Sequence, residues 1–461
     1  MANKFIEFFK EPPAKEEIQD KEKVDKMYSH FRWRIFYSSF IAYIVYHLCR
    51  KNLAVALPSM GEALHLSNTE LGLLGASLYL FYGVGKFING ILADRSNVRT
   101  FLPTALILSA LCNLMFVIST VFITPGHVTI FGLPSSTVLL WILAFFWGAN
   151  GWFQSMGFPP VAKSLSYWFS TSERGTKWSL WSTSHQLGVF AAVMISGFAI
   201  EHFGWQAAFY VPSAICILTG LWLYDRLRDK PQTLGLPDVE KYRNEPAVIV
   251  NKDEQDNRPY LQVFKENILC NPIMWMLAIS YIFVYIVRFG TEDWLVKYLV
   301  EVKGDSLTLA SSKLSSLALI GAFGAIGAGV ISDKVYKGNR TPINIVFLIC
   351  LVISLLAFAN NQSSTLDFLY AAMIGMFTAG PQLLIGGICA VESSSRKVAS
   401  ASIGFTGVFG YVGAVLSSTG TGYMVDKFGW NGAIGFWILS AAICIILCIA
   451  MWVIQAKRKN A

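Results

Sequence analysis

Two arginines lie inside apolar stretches of the sequence. Arg50 belongs to FIAYIVYHLCRKNLAVALP and Arg288 to MLAISYIFVYIVRFG. A guanidinium keeps its proton, so at membrane depth it must face a partner or a watery cavity. Arginine also binds phosphate groups through two parallel hydrogen bonds. The pair therefore predicts an anion-transporting pore with a symmetric clamp of two arginines.

One short signature occurs twice, and its two copies are separated by almost the same length of chain as Arg50 and Arg288. A repeated signature with a repeated membrane charge indicates a duplicated membrane bundle, in which each half contributes one arginine. The copies are Gly90-x-x-x-Asp94-Arg95-x-x-x-Arg99 and Gly329-x-x-x-Asp333-Lys334-x-x-Lys337.

The composition is that of a membrane protein. Hydrophobic residues make up 54% of the chain and charged residues 14%, whereas a soluble domain has about 25% charged residues. The net charge of +8 comes with no basic face or nucleic-acid motif, so we expect no nucleic-acid partner. The eight cysteines lack the spacing of a metal site or a disulfide framework. No catalytic signature is present, so we expect no enzyme activity, no cofactor and no metal.

Twelve apolar runs are long enough to cross a hydrocarbon core of ~30 Å, which takes about 20 helical residues. In the eleventh run, Gly404, Gly407, Gly410 and Gly413 are spaced by three and predict close helix packing. The runs lie near 35–57, 69–92, 100–121, 136–157, 178–200, 206–225, 271–291, 311–332, 342–360, 367–390, 399–422 and 432–454.

Basic residues are concentrated in alternate connections between these runs, which places both termini and the long central connection in the cytoplasm by the positive-inside rule. The predicted fold is an all-α membrane protein with twelve transmembrane helices in two six-helix halves, and such halves meet at a substrate site near the midplane. The predicted segments are an N-terminal segment 1–33, a first half 34–226, a linker 227–268, a second half 269–455 and a tail 456–461.

The repeated loop signature, together with the twelve runs, resembles the major facilitator superfamily. In that superfamily the loop is cytoplasmic and takes part in gating. The resemblance implies that Asp94 and Arg95, and their counterparts Asp333 and Lys334, make charge contacts with neighbouring helix ends. Such contacts would hold the cytoplasmic side closed in one state of the protein.

A narrower resemblance covers the chain from about residue 28 to 455. It is to the organophosphate:phosphate antiporters of bacteria, and within them to the hexose-phosphate uptake and sensor branch. The resemblance implies that the protein exchanges an organophosphate for inorganic phosphate by a rocker mechanism, in which the two halves move against each other. The segments that carry it are RKNLAVALP (50–58), GKFINGILADRSNVRTFLP (85–103), WFQSMGFPPVAKSL (152–165), SERGTKWSLWSTSHQLG (172–188), RDKPQTLGLPDVEKYRN (228–244), YIVRFGTEDW (285–294) and GPQLLIGG (380–387).

The resemblance also implies roles for single residues. Arg50 and Arg288 match the substrate arginines, although two permanent salt bridges would explain them as well. Lys51 and Asp293 match a pair that bridges the halves on closure. For the remaining matches, snorkelling of the lysine and ordinary core roles for the rings are the alternatives. These remaining matches are Tyr43, Tyr82, Lys86, His185, Tyr285 and Tyr411.

Four positions depart from the glycerol-phosphate branch. His47 and Ala379 stand in place of tyrosines, Ser182 in place of an asparagine, and Ala318 in place of a glutamate that would pair with Lys86. The small side chains at 182 and 379 leave more room, which favours a hexose over a glycerol moiety. Loss of the glutamate leaves Lys86 to contact phosphate. We therefore count His47 and Ser182 among the substrate-binding residues.

The leading interpretation is an antiporter that exchanges a hexose phosphate, most of all glucose 6-phosphate, for inorganic phosphate. We expect it to be a monomer in the lipid bilayer of the bacterial inner membrane. One alternative is a sensor that binds external hexose phosphate and acts with a histidine kinase, and another is a glycerol-3-phosphate:phosphate antiporter. The clamp alone does not separate transport from sensing, because both require binding.

Overall fold

The computed structural model describes residues 7–123, 129–130, 132–245, 258–336, 339–395 and 398–460. The middle of the predicted linker, 246–257, lies outside the described residues. So does Lys337, the last residue of the second signature copy.

Long helices dominate the described residues. The short elements are a hairpin of β1 (Thr129–Ile130) and β2 (Leu133–Pro134), a 3₁₀ turn (Pro231–Leu234), and π-helical turns at Lys265–Leu269 and Leu384–Ile388. The α-helices are α1 (Lys21–Leu64), α2 (Asn68–Asp94), α3 (Val98–Phe122), α4 (Ser135–Ser155), α5 (Phe158–Trp168), α6 (Thr171–Phe203), α7 (Ala207–Arg226), α8 (Val239–Tyr242), α9 (Tyr260–Phe264), α10 (Pro272–Glu301), α11 (Leu307–Lys334), α12 (Thr341–Asn360), α13 (Ser364–Leu383), α14 (Cys389–Glu392) and α15 (Ala399–Asn460).

Eleven helical segments among the described residues are long and apolar enough to cross a membrane. The last of them, Ala401–Ile454, has 54 residues, which is roughly 80 Å at about 1.5 Å per residue and far more than one crossing needs. It is interrupted at Gly429, where φ is 67° and ψ is −172°. Glycine adopts this left-handed φ without the steric cost that a Cβ brings. The break divides α15 into two crossings, which agrees with the twelve runs of the sequence.

The chain forms two compact units. Unit 1 consists of Met1–Asn52, Phe81–Ala199 and Gln206–Gln255, and unit 2 of Leu53–Leu80, Ile200–Trp205 and Asp256–Ala461. Parts of α1, α2 and α6, which the sequence assigned to the first half, thus group with the second half. The predicted segment boundaries stay a prediction.

In unit 1, part of the polar N-terminal segment is bonded to the loops of the unit. The backbone N–H of Asn97 donates to the carbonyl oxygen of Phe9 at 2.8 Å. The amides of Lys15 and Ile18 donate to the carbonyl oxygens of Gln232 and Gly235 at 2.9 and 2.8 Å. This arm therefore joins the signature loop to the start of the predicted linker.

In unit 2, two helices start at carboxylates from distant parts of the chain. The amides of Asn68 and Thr69, at the start of α2, donate to Asp426 at 3.1 and 2.7 Å, and the Thr69 hydroxyl donates at 2.6 Å. The amide of Thr308, at the start of α11, donates to Glu201 at 2.8 Å. The first N–H groups of a helix lack partners inside it and carry partial positive charge, so both carboxylates act as caps.

A buried ammonium also fixes the start of α11. Lys313 Nζ donates to Asp305 Oδ2 at 2.5 Å, to Ser364 Oγ at 2.9 Å and to Asp367 Oδ2 at 3.2 Å. Its side chain is fully buried. Because all three ammonium protons have acceptors and both carboxylates are close, the buried charge is compensated.

Glycines allow helices of unit 2 to approach closely, as the sequence predicted, but not at every predicted position. A Cβ on Gly413 would lie 2.4 Å from the carbonyl oxygen of Ile282, and one on Gly410 would lie 3.0 Å from the Tyr281 ring. A Cβ on Gly404 or Gly407 would meet nothing within 4 Å. Gly410 and Gly413 therefore allow α15 to pack against α10, whereas Gly404 and Gly407 face open space among the described residues.

Another close contact of this kind, between the backbones of two helices, joins α11 and α13. A Cβ on Gly324 would lie 2.0 Å from the carbonyl oxygen of Met376, whereas a Cβ on Gly327, one turn further along α11, would meet nothing within 4 Å. We expect Gly324→Ala to destabilise the protein by about 1–3 kcal/mol, because the backbone of α13 has to move away. Gly327→Ala, the matched control, should be neutral or stabilise by up to about 1 kcal/mol through helix propensity.

Thermal unfolding of the two variants in detergent measures this difference. Equal melting temperatures for Gly324→Ala and Gly327→Ala would contradict the close approach of α11 and α13.

Candidate functional site

The candidate site of unit 1 begins on one face of α1. Tyr43, His47 and Arg50 follow one another at intervals of four and three residues, which places them on one side of a helix. Tyr43 and His47 are buried, and Arg50 is half-buried. The Nδ1 atom of His47 lies 2.8 Å from the carbonyl oxygen of Tyr43, which fixes the orientation of the imidazole.

The helix is irregular immediately before the arginine. Cys49 has φ −90° and ψ 15°, outside the helical range, so the regular pattern of backbone hydrogen bonds is interrupted there. The Cys49 carbonyl oxygen instead accepts from Asn150 Nδ2 at 2.7 Å and from Asn113 Nδ2 at 3.4 Å. One turn earlier, the carbonyl oxygen of Tyr46 accepts from Gln154 Nε2 at 3.0 Å. Amides from α3 and α4 therefore stabilise the kink.

These amides belong to one buried network. Asn52 Nδ2 donates to Asn113 Oδ1 and to the carbonyl oxygen of Ala208, both at 2.9 Å. Ser109 Oγ donates to Asn150 Oδ1 at 2.5 Å and accepts from Gln154 Nε2 at 2.8 Å. This network was not predicted from the sequence. Polar residues inside otherwise apolar spans were the available signal, since such residues cost free energy unless they have partners.

Arg50 lies against the tyrosines predicted for the site. Its guanidinium carbon lies 4.3 Å from the centroid of the Tyr82 ring, and its side chain is hydrogen-bonded to the Tyr43 hydroxyl. A guanidinium stacked by its face on a ring keeps its N–H groups at the edge, where a planar array of oxygens can accept them. Unit 1 thus places Arg50, Tyr43 and Tyr82 together.

Both predicted histidines join this group. The ring centroids of Tyr43 and His185 are 4.4 Å apart, and those of His47 and His185 are 5.7 Å apart. Trp181, which the sequence analysis missed, packs on Tyr43 at 4.7 Å and on His185 at 5.3 Å. Its position one turn before His185 on α6 was the available signal. The result is an aromatic wall next to Arg50.

The other two predicted residues of unit 1 are placed differently. The Ser182 hydroxyl donates to the carbonyl oxygen of Trp178 at 2.9 Å, so it is satisfied by its own helix. Lys86 lies on α2 one turn after Tyr82 and is exposed. For both residues a substrate contact stays a prediction.

In unit 2, α10 carries the second arginine. Arg288 Nε donates to Glu292 Oε1 at 2.9 Å, and the guanidinium carbon lies 4.9 Å from the ring centroid of Phe289. The Tyr285 ring lies 5.7 Å from the same carbon and 6.1 Å from the Tyr411 ring. The predicted residues Arg288, Tyr285 and Tyr411 are therefore neighbours, and Glu292 is an acidic partner that the sequence analysis did not predict.

Asp293 has a partner inside unit 2. The hydroxyl of Tyr79 donates to Asp293 Oδ2, and the Tyr79 ring packs on Phe289 with centroids 4.5 Å apart. Tyr79 lies on α2 one turn before Tyr82, and the sequence analysis missed it. Lys51, the predicted partner of Asp293, is buried in unit 1. The bridge between Lys51 and Asp293 stays a prediction.

The first signature loop is organised around a lysine that the sequence analysis did not predict. Lys163 Nζ donates to the carbonyl oxygens of Ser96 and Asp94 at 2.7 and 3.3 Å, and it also donates to Glu11. The Lys163 side chain is only 4% exposed, whereas Asp94 and Arg95 are exposed. The buried ammonium group of Lys163 thus fixes the loop through its backbone carbonyl oxygens. Gating by Asp94 and Arg95 stays a prediction.

Glu11, in the N-terminal arm, links this lysine to Lys230 at 2.8 Å. Burial alone raises the pKa of the Glu11 carboxyl, but hydrogen bonds from Lys163 and Lys230 outweigh it and hold the pKa below its usual value. The carboxylate therefore stays charged near neutral pH, and the arm is fixed to the loop.

The second signature copy has a different centre. Arg340 Nη1 donates to Asp333, and Arg340 Nη2 donates to Glu392 Oε1 at 2.9 Å. Hydrogen bonds from Arg340 to these carboxylates raise the pKa of its guanidinium. Asp333 thus contacts the start of α12, whereas Lys334 is exposed.

Comparison with known proteins decides the family. The profile of the Major Facilitator Superfamily matches residues 39–418. The chain belongs to this superfamily. It is 37% identical to the "Probable hexose phosphate transport protein" of Chlamydia pneumoniae, over 99% of both chains. It is 35% identical to the "Glycerol-3-phosphate transporter" of Bacillus subtilis, over 97% of this chain and 98% of the relative.

A third relative has a different role. The chain is 33% identical to the "Membrane sensor protein UhpC" of Escherichia coli K12, over 98% of this chain and all of the relative. Among solved structures, a bacterial homologue of the human lysosomal transporter Spinster, inward-facing and occupied, superposes with a TM-score of 0.67 at 16% identity. It covers 92% of this chain and 97% of that chain, which confirms the fold.

These findings confirm the predicted resemblance and the helical fold. As a member of the Major Facilitator Superfamily in an organophosphate branch, the protein is a multi-pass membrane transport protein and not an enzyme.

The kink at Cys49 predicts a specific dependence of the fold on Asn150. We expect Asn150→Ala to lower the free energy of unfolding by about 1–3 kcal/mol, because it removes the shorter hydrogen bond to the Cys49 carbonyl and leaves buried polar groups unpaired. Thermal unfolding in detergent measures the change. Asn360→Ala, which removes an exposed amide bonded to its own helix at Leu356, is the control and should change little. Equal effects of both variants would contradict the role of the network.

Proposed function

We propose that the protein exchanges a hexose phosphate, glucose 6-phosphate above all, for inorganic phosphate across the bacterial inner membrane by alternating access. The observation that carries the proposal is the setting of the two arginines. Arg50 lies on the Tyr82 ring and Arg288 on the Phe289 ring, with guanidinium carbons 4.3 and 4.9 Å from the ring centroids. Each guanidinium carries planar N–H groups that suit phosphate oxygens.

Inorganic phosphate and a phosphate monoester offer the same oxygens to the arginines. A site that binds the shared group accepts both anions in turn, which is what obligatory exchange requires. The printed names of the relatives, a hexose phosphate transport protein and a glycerol-3-phosphate transporter, support this substrate class. The monomer, the inner membrane and the cytoplasmic termini are parts of the same proposal.

The wall of Tyr43, His47, His185 and Trp181 supports a sugar over a glycerol moiety. Ring faces suit the apolar faces of a pyranose, and the imidazole of the half-buried His185 offers a nitrogen donor or acceptor to a hydroxyl group, whereas Tyr43, His47 and Trp181 are buried in this structure. Ala379 supports the choice less directly than the sequence suggested. A Cβ on Gly321 of α11 would lie 3.8 Å from the Ala379 Cβ, so bulk at position 379 bears on the packing of α11 and α13.

A sensor remains the second candidate, because the sensor relative matches almost the whole chain at 33% identity. In that case the protein binds the hexose phosphate and acts with a histidine kinase. Exchange in proteoliposomes loaded with phosphate separates the two. Uptake of labelled glucose 6-phosphate that depends on internal phosphate supports the antiporter, and binding without exchange supports the sensor. Preferential uptake of glycerol 3-phosphate would overturn the choice of hexose.

We expect Arg50→Lys and Arg288→Lys each to reduce exchange about tenfold or more. Lysine keeps the charge but loses the planar fork, and a lost charge-assisted hydrogen bond costs about 1.5–3 kcal/mol. Phosphate:phosphate exchange in proteoliposomes measures this, with the melting temperature as the test of folding. Arg258→Lys, at an exposed pair with Glu266, is the control and should exchange normally. Normal exchange by either site variant would exclude the clamp.

In the proposed alternating-access cycle, the start of α2 also separates from Asp426, the carboxylate that caps it. Thr69 Oγ1 and Asp426 Oδ2 are 2.6 Å apart, at the end of α2 opposite the signature loop. In a background without native cysteines, we expect oxidation of the double variant Thr69→Cys/Asp426→Cys to stop exchange and reduction to restore it. The single variants, treated with the same oxidant, are the controls. Full exchange by a completely cross-linked protein would show that this contact does not open during transport.

A further inference from the structure

Glu292, the acidic partner of Arg288, is not part of the proposed phosphate clamp. Glu292 lies one turn after Arg288 on α10, and its side chain is 13% exposed, against 26% for the arginine. A carboxylate next to a phosphate-binding arginine repels the ligand, so its presence needs an explanation. We therefore consider which guanidinium nitrogen donates its hydrogen bond to Glu292.

Glu292 accepts from Nε at 2.9 Å. A guanidinium can meet an oxyanion through the pair Nε and Nη or through the two terminal nitrogens, and each pair forms a fork. With Nε engaged, the fork of the two terminal nitrogens is the one that remains. The Phe289 ring centroid also lies 4.9 Å from the guanidinium carbon.

We propose that Glu292 is a positioning residue for substrate recognition: by accepting from Nε it holds Arg288 so that its two terminal nitrogens face the phosphoryl group. The inference rests on the proposed function only in that the ligand carries a phosphoryl group. The carboxylate also offsets the charge of Arg288, which reduces the cost of a cation in an apolar helix. A weaker net attraction lets the anion leave, as a carrier requires.

Two variants of Glu292 test this with equilibrium binding and with exchange. Glu292→Ala removes the acceptor, and we expect it to weaken binding of glucose 6-phosphate and of phosphate about tenfold. Glu292→Gln keeps an acceptor for Nε but removes the charge. It should restore binding to the level of the native protein or tighter, while exchange turns over more slowly because release is slower. A lower KM together with a lower kcat is the signature of the glutamine variant.

Glu301→Ala is the matched control. Glu301 forms the same kind of pair on the same helix, with Lys297 Nζ 2.5 Å from its Oε1, and it lies more than two turns from Arg288. We expect the Glu301→Ala variant to lose about as much stability as the Glu292→Ala variant, with no change in its binding of glucose 6-phosphate or phosphate. An equal loss of binding in both alanine variants would reduce Glu292 to a structural residue and overturn the proposal.

A double-mutant cycle tests whether Glu292 acts through Arg288. In the background of Arg288→Lys there is no Nε fork to orient, so Glu292→Ala should weaken binding little further. Fully additive losses would overturn the proposal, as would a glutamine variant that binds as weakly as the alanine variant. Binding without any exchange by the native protein would overturn the antiporter instead, and the ratio of variant to native binding would still decide the role of Glu292.

Discussion

A guanidinium inside an apolar helix is the constraint on which the rest of the structure depends. It cannot release its proton, so the surrounding helices have to provide partners and an approach for an anion. In unit 1 the arginine directly follows a break in α1 at Cys49. The break leaves backbone carbonyl groups without partners inside the helix, and buried side-chain amides from α4 donate hydrogen bonds to them. The polar network therefore stabilises the turn of α1 that immediately precedes Arg50.

The same constraint is met differently at the two arginines. Arg50 rests on a tyrosine ring and contacts a tyrosine hydroxyl, whereas Arg288 is paired with a carboxylate on its own helix. The two matching positions of the sequence therefore have different neighbours: tyrosine side chains lie beside Arg50, and a carboxylate of the same helix lies beside Arg288.

Part of the site could be predicted from the sequence. Arg50 was predicted because a charge in an apolar run is conspicuous, and Tyr43, His47 and His185 were predicted from the resemblance to the antiporter family. The structure brings these four residues together. Trp181, Tyr79 and Lys163 were not predicted. Their roles depend on contacts between distant segments, and a tryptophan or tyrosine in a membrane helix has the same sequence signal whether it lines a site or faces lipid.

The helix boundaries illustrate the same limit. Twelve apolar runs were visible in the sequence, but α15 continues through two of them, and only the left-handed Gly429 divides it. The caps on α2 and α11 could not be predicted from the sequence either. Asp426 and Glu201 are far in sequence from Thr69 and Thr308, whose amides donate hydrogen bonds to them. A carboxylate at a helix start compensates N–H groups that the helix itself leaves unpaired.

These caps also explain why the contacts at the starts of α2 and α11 suit a moving part. A cap bonds to N–H groups that water can satisfy equally well once the contact opens, so separation exposes no group that is left without a partner. The packing of α11 on α13 through Gly324 has the opposite character, since it depends on close contact between backbones. The start of α2 has a contact of this second kind too, because a Cβ on Gly422 of α15 would lie 2.1 Å from the carbonyl oxygen of Asn68. Opening at this place therefore breaks close backbone packing as well as the hydrogen bonds that water can replace.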